Sequence, residues 1–141
     1  MVDAKPKYLI SACLVGCNCR YDGKNQRRQE MVDLYKTGEI LALCPEELAK
    51  LGTPRPACEK NGEMVVTATG LDKSAAYALG AEQALTLAKQ QQIQRAYLKS
   101  KSPMCGFGTI YDGSFSGTLK VGNGVLAELL LANGFEIESI D

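Results

Sequence analysis

Residues 8–13 of this 141-residue chain, Tyr-Leu-Ile-Ser-Ala-Cys, form a short apolar run that ends in a cysteine. Two more runs follow the same design: residues 40–43 precede Cys44, and residues 96–99 lead through a Ser-Pro pair to Cys105. Short apolar runs that are bounded by turn residues and separated by helical patterns predict strands of a parallel sheet. Ligands bind at the carboxyl ends of such strands, so we expect the three thiols to converge on one pocket.

The rest of the sequence predicts an alternation of strands and helices. Predicted strands cover about 7–12, 39–43, 64–67, 94–99 and 135–138, and predicted helices cover about 26–36, 45–48, 73–91 and 124–132. Two stretches are expected to be irregular: residues 52–60, where two prolines stand close together, and the glycine-rich residues 103–124. This order predicts a single α/β domain over residues 1–141, a Rossmann-like, three-layer fold with a mostly parallel sheet.

Composition narrows the classes of function. Sixteen basic residues balance sixteen acidic ones, so the charge gives no strong sign of a general nucleic-acid-binding surface. Neither a membrane-length apolar run nor a signal-peptide segment is found, which predicts no membrane association and a cytoplasmic location. The chain has six cysteines and no histidine, so any general base is expected to be a carboxylate and any metal ligands thiolates.

The cysteines admit several interpretations. Cytoplasmic cysteines rarely form structural disulfides, which leaves buried thiols, a reactive thiol or a metal site. Three converging thiolates suit a soft metal ion or an iron–sulfur cluster. Cys17 and Cys19, beside Cys13, also allow a zinc or second iron site, and Cys58 is either incidental or a redox-sensitive neighbour. A small redox protein is disfavoured because the sequence contains no Cys-x-x-Cys pair.

Five sequence blocks carry a family resemblance. They are Ser-Ala-Cys-Leu-Val-Gly-Cys-Asn-Cys-Arg-Tyr-Asp-Gly at 11–23, Cys-Pro-Glu at 44–46, Pro-Arg-Pro at 54–56, Leu-Lys-Ser-Lys-Ser-Pro-Met-Cys-Gly at 98–106 and Ile-Tyr-Asp-Gly-Ser-Phe-Ser-Gly at 110–117. In this order they resemble the thiouracil desulfidase family, long catalogued as a domain of unknown function, over about residues 8–139. The chain departs from the family pattern at Met104, where serine is usual, and around residues 49–50 and 57–58.

The resemblance implies a cofactor and a reaction. It implies a [4Fe–4S] cluster held by Cys13, Cys44 and Cys105, with the fourth iron open to the sulfur of the substrate. It further implies that Glu46 and Ser102 act in a non-redox, hydrolytic desulfuration that releases sulfide. The expected substrate is a small thiolated pyrimidine, as the nucleobase (thiouracil), the nucleoside (thiouridine) or its nucleotide. A non-catalytic zinc or iron–sulfur protein with a structural or sensing role is the alternative.

Substrate contacts are predicted from charged and aromatic residues near these blocks. The expected contacts are Arg20, Tyr21, Asp22, Arg55 and Lys101. Residues 20–23 also fit a turn with a buried tyrosine, and Arg55 also fits an ion pair within its own loop. Glu46 and Glu47 equally fit acidic residues that are favoured at a helix N-terminus. Lys99 or Lys101 is expected to add positive charge near the reacting atoms.

Overall fold

The computed structural model describes residues 6–141, which form an α/β fold around a parallel sheet. In chain order the elements are β1 (Tyr8–Ser11), α1 (Gln29–Lys36), β2 (Ile40–Leu43), α2 (Pro45–Leu48), β3 (Cys58–Asn61), β4 (Met64–Thr67), α3 (Ser74–Gln90), β5 (Arg95–Lys99), β6 (Thr109–Tyr111), β7 (Leu119–Val121), α4 (Val125–Ala132) and β8 (Glu136–Ile140). The central sheet has the strand order β2-β1-β5-β8, and all its pairings are parallel.

Apolar side chains cover both faces of this sheet. Because successive strand residues point to opposite faces, Leu9 and Leu98 join the core cluster that contains α3 and α4. Ile10 and Ile40 face the other way and pack with Met31 of α1. Helices therefore lie on both sides of the sheet, which confirms the predicted three-layer α/β fold.

Two small antiparallel hairpins stand outside the central sheet. Strands β3 and β4 pair with each other, as do β6 and β7. The prediction that residues 52–60 and 103–124 are irregular is therefore wrong where these hairpins form. Strand β3 was not predicted because its sequence, Cys-Glu-Lys-Asn, is polar and lacks the apolar alternation of a half-buried strand.

Helix boundaries differ little from the sequence prediction. Arg28 has an extended backbone, with φ −121° and ψ 128°, so α1 begins at Gln29 rather than near residue 26. Within residues 6–141, no helix combines the length and apolar character needed to cross a membrane. Residues 1–5, part of the N-terminal segment in which no signal peptide was found, lie outside the described part of the chain.

A close contact between α2 and α3 fixes the turn that follows β2. A Cβ atom added to Gly80 would lie 2.1 Å from the carbonyl oxygen of Pro45, so glycine is required at this position. Pro45 itself occupies the first turn of α2, where its missing N–H costs no helical hydrogen bond. The short segment that carries Cys44 and Glu46 is therefore held directly against the long helix.

Candidate functional site

A cavity of about 530 Å³ lies at the carboxyl ends of β1, β2 and β5, and three cysteines from distant parts of the chain line it. Cys13 lies in a 3₁₀ turn that continues β1, and Cys44 directly follows β2. Cys105 lies in the loop after β5. The strands are parallel, so their ends meet at one edge of the sheet and bring the three thiols to a common site.

Most of the other predicted site residues line the same cavity. They are Glu46, Ser102, Arg20, Tyr21, Arg55 and Lys101. Asp22 is exposed and does not line it; its carboxylate lies 3.9 Å from Arg20 Nε and accepts a hydrogen bond from the Lys24 backbone N–H. The segment 20–23 thus forms a turn, although Tyr21 is 42% exposed rather than buried.

Burial disfavours the charged form of all three thiols, and in two of them it produces a net rise in pKa. It raises the pKa of Cys13 to about 11, against the opposing charge of Arg20. It also raises the pKa of Cys105 above its ordinary value, while a hydrogen bond with Ser11 acts in the other direction. The neighbouring thiols of Cys13 and Cys44 add to the rise at Cys105. A bound cation would therefore have to displace protons from these thiols.

Cys44 differs from the other two because Cys19 hydrogen-bonds to it. This bond lowers the pKa of Cys44, although burial acts against the change; the backbone N–H of Glu47 also lowers it. The Cys44 sulfur lies 3.6 Å from the carbonyl oxygen of Cys19. Cys19 is buried and lines the cavity, whereas Cys17 is exposed and does not. Among residues 6–141, no three Cys, Asp or Glu side chains are close enough to share a single metal ion.

The carboxylate of Glu46 is held through one of its two oxygens. Arg55 Nε and Nη2 each lie 3.2 Å from Glu46 Oε2. Tyr77 donates its hydroxyl to the same oxygen over 2.7 Å. Both side chains of the ion pair are largely buried, with 6% exposure for Arg55 and 16% for Glu46. The hydrogen bonds of the described residues leave Glu46 Oε1 available to a ligand or water in the cavity.

Arg55 ties this carboxylate to the surrounding loops. Its guanidinium also donates to the carbonyl oxygens of Gly52 over 2.8 Å and Cys19 over 2.9 Å. Burial lowers the pKa of Arg55, but the charges of Glu46 and Cys44 outweigh burial and raise it overall. The guanidinium therefore stays charged. The ion pair of Arg55 is formed with Glu46 and Glu47 of α2, outside its own loop, so it ties that loop to the helix.

Ser102 is oriented by the backbone next to the third cysteine. Its Oγ accepts hydrogen bonds from the backbone N–H groups of Met104, at 3.0 Å, and Cys105, at 2.7 Å. These two bonds occupy the acceptor side of the hydroxyl, so its own proton is free to be donated into the cavity. Lys101 precedes it with a left-handed backbone, φ 69°, and also lines the cavity.

Positive charge gathers at one side of the cavity. Arg20 Nε is buried and has no hydrogen-bond partner among residues 6–141. Lys99 also lines the cavity, and burial together with the charge of Arg20 lowers its pKa. Two neighbouring cations, one with an unused buried donor, form an environment that favours a negatively charged ligand group.

Sequence reasoning missed several side chains of this site. Tyr77, which is 2% exposed, is the aromatic residue of an otherwise Ala- and Leu-rich helix, and only its contact with Glu46 shows its importance. Glu59, Tyr111 and Phe115 also line the cavity. The last two lie in the sequence block 110–117, which carried the resemblance but suggested no role for either ring.

Known proteins resemble this chain in both sequence and fold. The sequence profile of a family described as 2-thiouracil desulfurase matches residues 8–141. The chain is 36% identical to the protein YbbK of Bacillus subtilis strain 168, in an alignment that covers 93% of each chain. A solved structure of the [4Fe–4S]-dependent thiouracil desulfidase TudS superposes with a TM-score of 0.91 at 44% identity, covering 96% of this chain and 91% of the other. The chain therefore belongs to the 2-thiouracil desulfurase family.

Proposed function

We propose that this protein hydrolyses the carbon–sulfur bond of a thiolated pyrimidine, using a [4Fe–4S] cluster bound by Cys13, Cys44 and Cys105. One observation carries the proposal: three thiols from three strand ends line a cavity that Glu46 and Ser102 also line. In the reaction, one water oxygen bonds to the ring carbon, the carbon–sulfur bond breaks, and sulfide leaves. No electron is gained or lost by the substrate.

The donor set of the cavity fits this cofactor. Thiolates are the ligands that iron–sulfur clusters prefer, and all six cysteines of the chain are free thiols. In a cluster each thiolate binds a different iron, so the three ligands need not be close enough to share one ion. When bound, the cluster would supply a soft Lewis acid for the substrate sulfur.

Glu46 is the best placed proton acceptor for the attacking water. Its Oε2 is occupied by Arg55 and Tyr77, which fixes the carboxylate and leaves Oε1 for the water. A carboxylate that is held in this way acts as a general base without first reorganising. The chain contains no histidine that could take this role.

Ser102 is proposed to stabilise the charge that develops on the pyrimidine ring. The two backbone N–H groups that bind its Oγ fix the hydroxyl and leave its own proton free to be donated to a ligand. A preoriented donor of this kind stabilises a transition state more than a mobile water does. Lys101 adds positive charge on the same loop.

The cations beside the cavity favour the nucleotide among the possible substrates. Arg20 and Lys99 provide charge and an unused donor, which a phosphate group would satisfy. A free base would leave the buried Arg20 donor without a partner, which costs free energy. We therefore expect kcat/KM to rise from nucleobase to nucleoside to nucleotide.

The test is anaerobic reconstitution with iron and sulfide, followed by assays on 4-thiouracil, 4-thiouridine and its monophosphate. We expect one sulfide released for each oxygenated pyrimidine formed, with no added reductant or oxidant. The loss of thiopyrimidine absorbance and the release of sulfide are measured in the same sample. A protein that binds zinc or a cluster but turns over none of the three substrates would instead support a structural or sensing role.

A further inference from the structure

The loop between β6 and β7 forms a wall of the cavity. Tyr111, Phe115 and Gly117 all line the cavity, although β6 and β7 are separate from the central sheet. Phe115 is half-buried, yet it belongs to neither of the hydrophobic clusters that the described residues form. A large apolar side chain that lines a cavity and has no place in the core is available to a ligand.

Glu59 of β3 holds this loop in place. Its Oε1 accepts the backbone N–H of Gly113 over 3.0 Å and that of Phe115 over 3.1 Å. Charged acceptors make stronger hydrogen bonds than neutral ones, so one carboxylate oxygen clamps both ends of this tight segment. A Cβ atom on Gly113 would lie 2.7 Å from the carbonyl oxygen of Lys60, which shows how closely the loop packs on β3.

The backbone at Phe115 is held in an uncommon conformation. Its φ is 57°, in the left-handed region, where a residue with a side chain is disfavoured. Neighbouring hydroxyl groups stiffen the loop: Ser114 donates to Asp112 Oδ1, and Ser116 lies within hydrogen-bond distance of both Ser114 and Thr118. Strained residues persist where the surroundings fix them, and they concentrate at functional sites.

We propose that Phe115 stacks on the pyrimidine ring of the substrate and that Glu59 is the positioning residue that sets this ring. The proposal rests on the proposed function, because it assumes a planar pyrimidine in the cavity. Among the aromatic residues of the cavity, Tyr21 is 42% exposed and lies beside Arg20, 5.7 Å from its guanidinium carbon. Phe115 carries no polar group and offers its ring alone, which suits stacking on a base.

The absence of tryptophan from the sequence allows a direct optical test. Phe115→Trp places a single indole in the cavity wall, and Phe107→Trp is the matched control. Phe107 is also half-buried, but it packs against the main core and does not line the cavity. Each variant, reconstituted anaerobically, is titrated with uridine monophosphate and with its non-aromatic 5,6-dihydro form.

If the ring stacks, uridine monophosphate should quench the indole emission of Phe115→Trp but not that of Phe107→Trp. The dihydro form should quench Phe115→Trp much less. Base–aromatic stacking corresponds to roughly 5- to 150-fold in affinity. Leucine keeps part of the apolar contact, so Phe115→Leu should raise the KM for the thiolated nucleotide about 5- to 10-fold, with kcat and iron content unchanged. Phe107→Leu should leave this KM unchanged.

Variants of Glu59 separate positioning from folding. Glu59→Leu removes the acceptor and should raise KM as Phe115→Leu does, whereas Glu59→Gln keeps an acceptor oxygen and should restore most of the loss. Glu63→Leu, on the exposed turn of the same hairpin, is the control and should have no effect.

Two results separate this proposal from the proposed function. The stacking proposal would be overturned if Phe115→Leu kept the wild-type kcat and KM and if both nucleotides quenched Phe115→Trp equally. The proposed function would be unaffected by that result. Selective quenching in a protein without desulfidase activity would support the aromatic wall and reject the proposed reaction.

Discussion

Replacement of Glu46 by glutamine tests the proposed general base most directly. The change keeps the shape of the side chain and an oxygen that accepts hydrogen bonds from Arg55 and Tyr77, but it removes the negative charge. General base catalysis contributes about 100- to 10,000-fold to an enzymatic rate, so we expect kcat to fall at least about 100-fold. Binding of the substrate through its sulfur and ring should change little, so KM should stay within a few-fold of wild type.

The structure also sets the cost in stability. Glu46 Oε2 accepts hydrogen bonds from Arg55 Nε at 3.2 Å and from the Tyr77 hydroxyl at 2.7 Å, and Arg55 Nη2 lies 3.2 Å away as part of the ion pair. Hydrogen bonds to a charged group contribute about 1.5–3 kcal/mol, and neutral ones about 0.5–1.5 kcal/mol. The free energy of unfolding should therefore fall by about 2–3 kcal/mol, which a domain with about 5–15 kcal/mol of stability tolerates.

Glu47→Gln is the matched control for this experiment. Glu47 is the adjacent residue on α2, its side chain is 43% exposed, and its carboxylate lies 3.8 Å from Arg55 Nη1. It does not line the cavity. The assay is anaerobic loss of 4-thiouridine monophosphate absorbance, with iron content and thermal unfolding measured on each variant. A fully loaded Glu46→Gln enzyme that turns over within threefold of wild type would refute the assignment of Glu46 as the base.

Three further predictions follow from the same site. Replacing any one of the three proposed cluster ligands by serine should remove most of the bound iron. Cys17→Ser, at an exposed thiol outside the cavity, should keep the iron. Equal iron loss in all four variants would contradict the ligand set. Ser102→Ala should lower kcat by about 100-fold if the hydroxyl stabilises developing charge, and Ser102→Thr should restore part of the rate; equal activity of both with wild type would exclude this role. Gly80→Ala should lower the free energy of unfolding by about 1–3 kcal/mol, measured by thermal or denaturant unfolding, because the new Cβ would lie 2.1 Å from the Pro45 carbonyl oxygen. A variant as stable as wild type or more stable would show that α2 can shift to accommodate the methyl group.

The central sheet could be predicted from the sequence because the pattern of each strand is contained within a few consecutive residues. The runs before Cys13, Cys44 and Cys105 are apolar, short and bounded by turns, and parallel strands buried on both faces have this composition. Strand β4 was predicted at residues 64–67, but its partner β3 and the second hairpin were not, because β3 is polar and β6 and β7 have only three residues each. Their stability comes from contacts such as Glu59 with the loop at Gly113, which join residues more than 50 positions apart.

The sequence by itself determined the α/β class and placed three cysteines at strand ends, because hydrophobic period and turn residues are encoded within a few consecutive positions. Only the tertiary structure decided which oxygen of Glu46 is occupied, that Tyr77 is its partner, and that Phe115 forms part of the cavity wall. These facts depend on side chains from separate elements meeting in space. The conformational preference of a local segment carries no information about such long-range contacts. They form when the hairpins and α3 pack against the sheet.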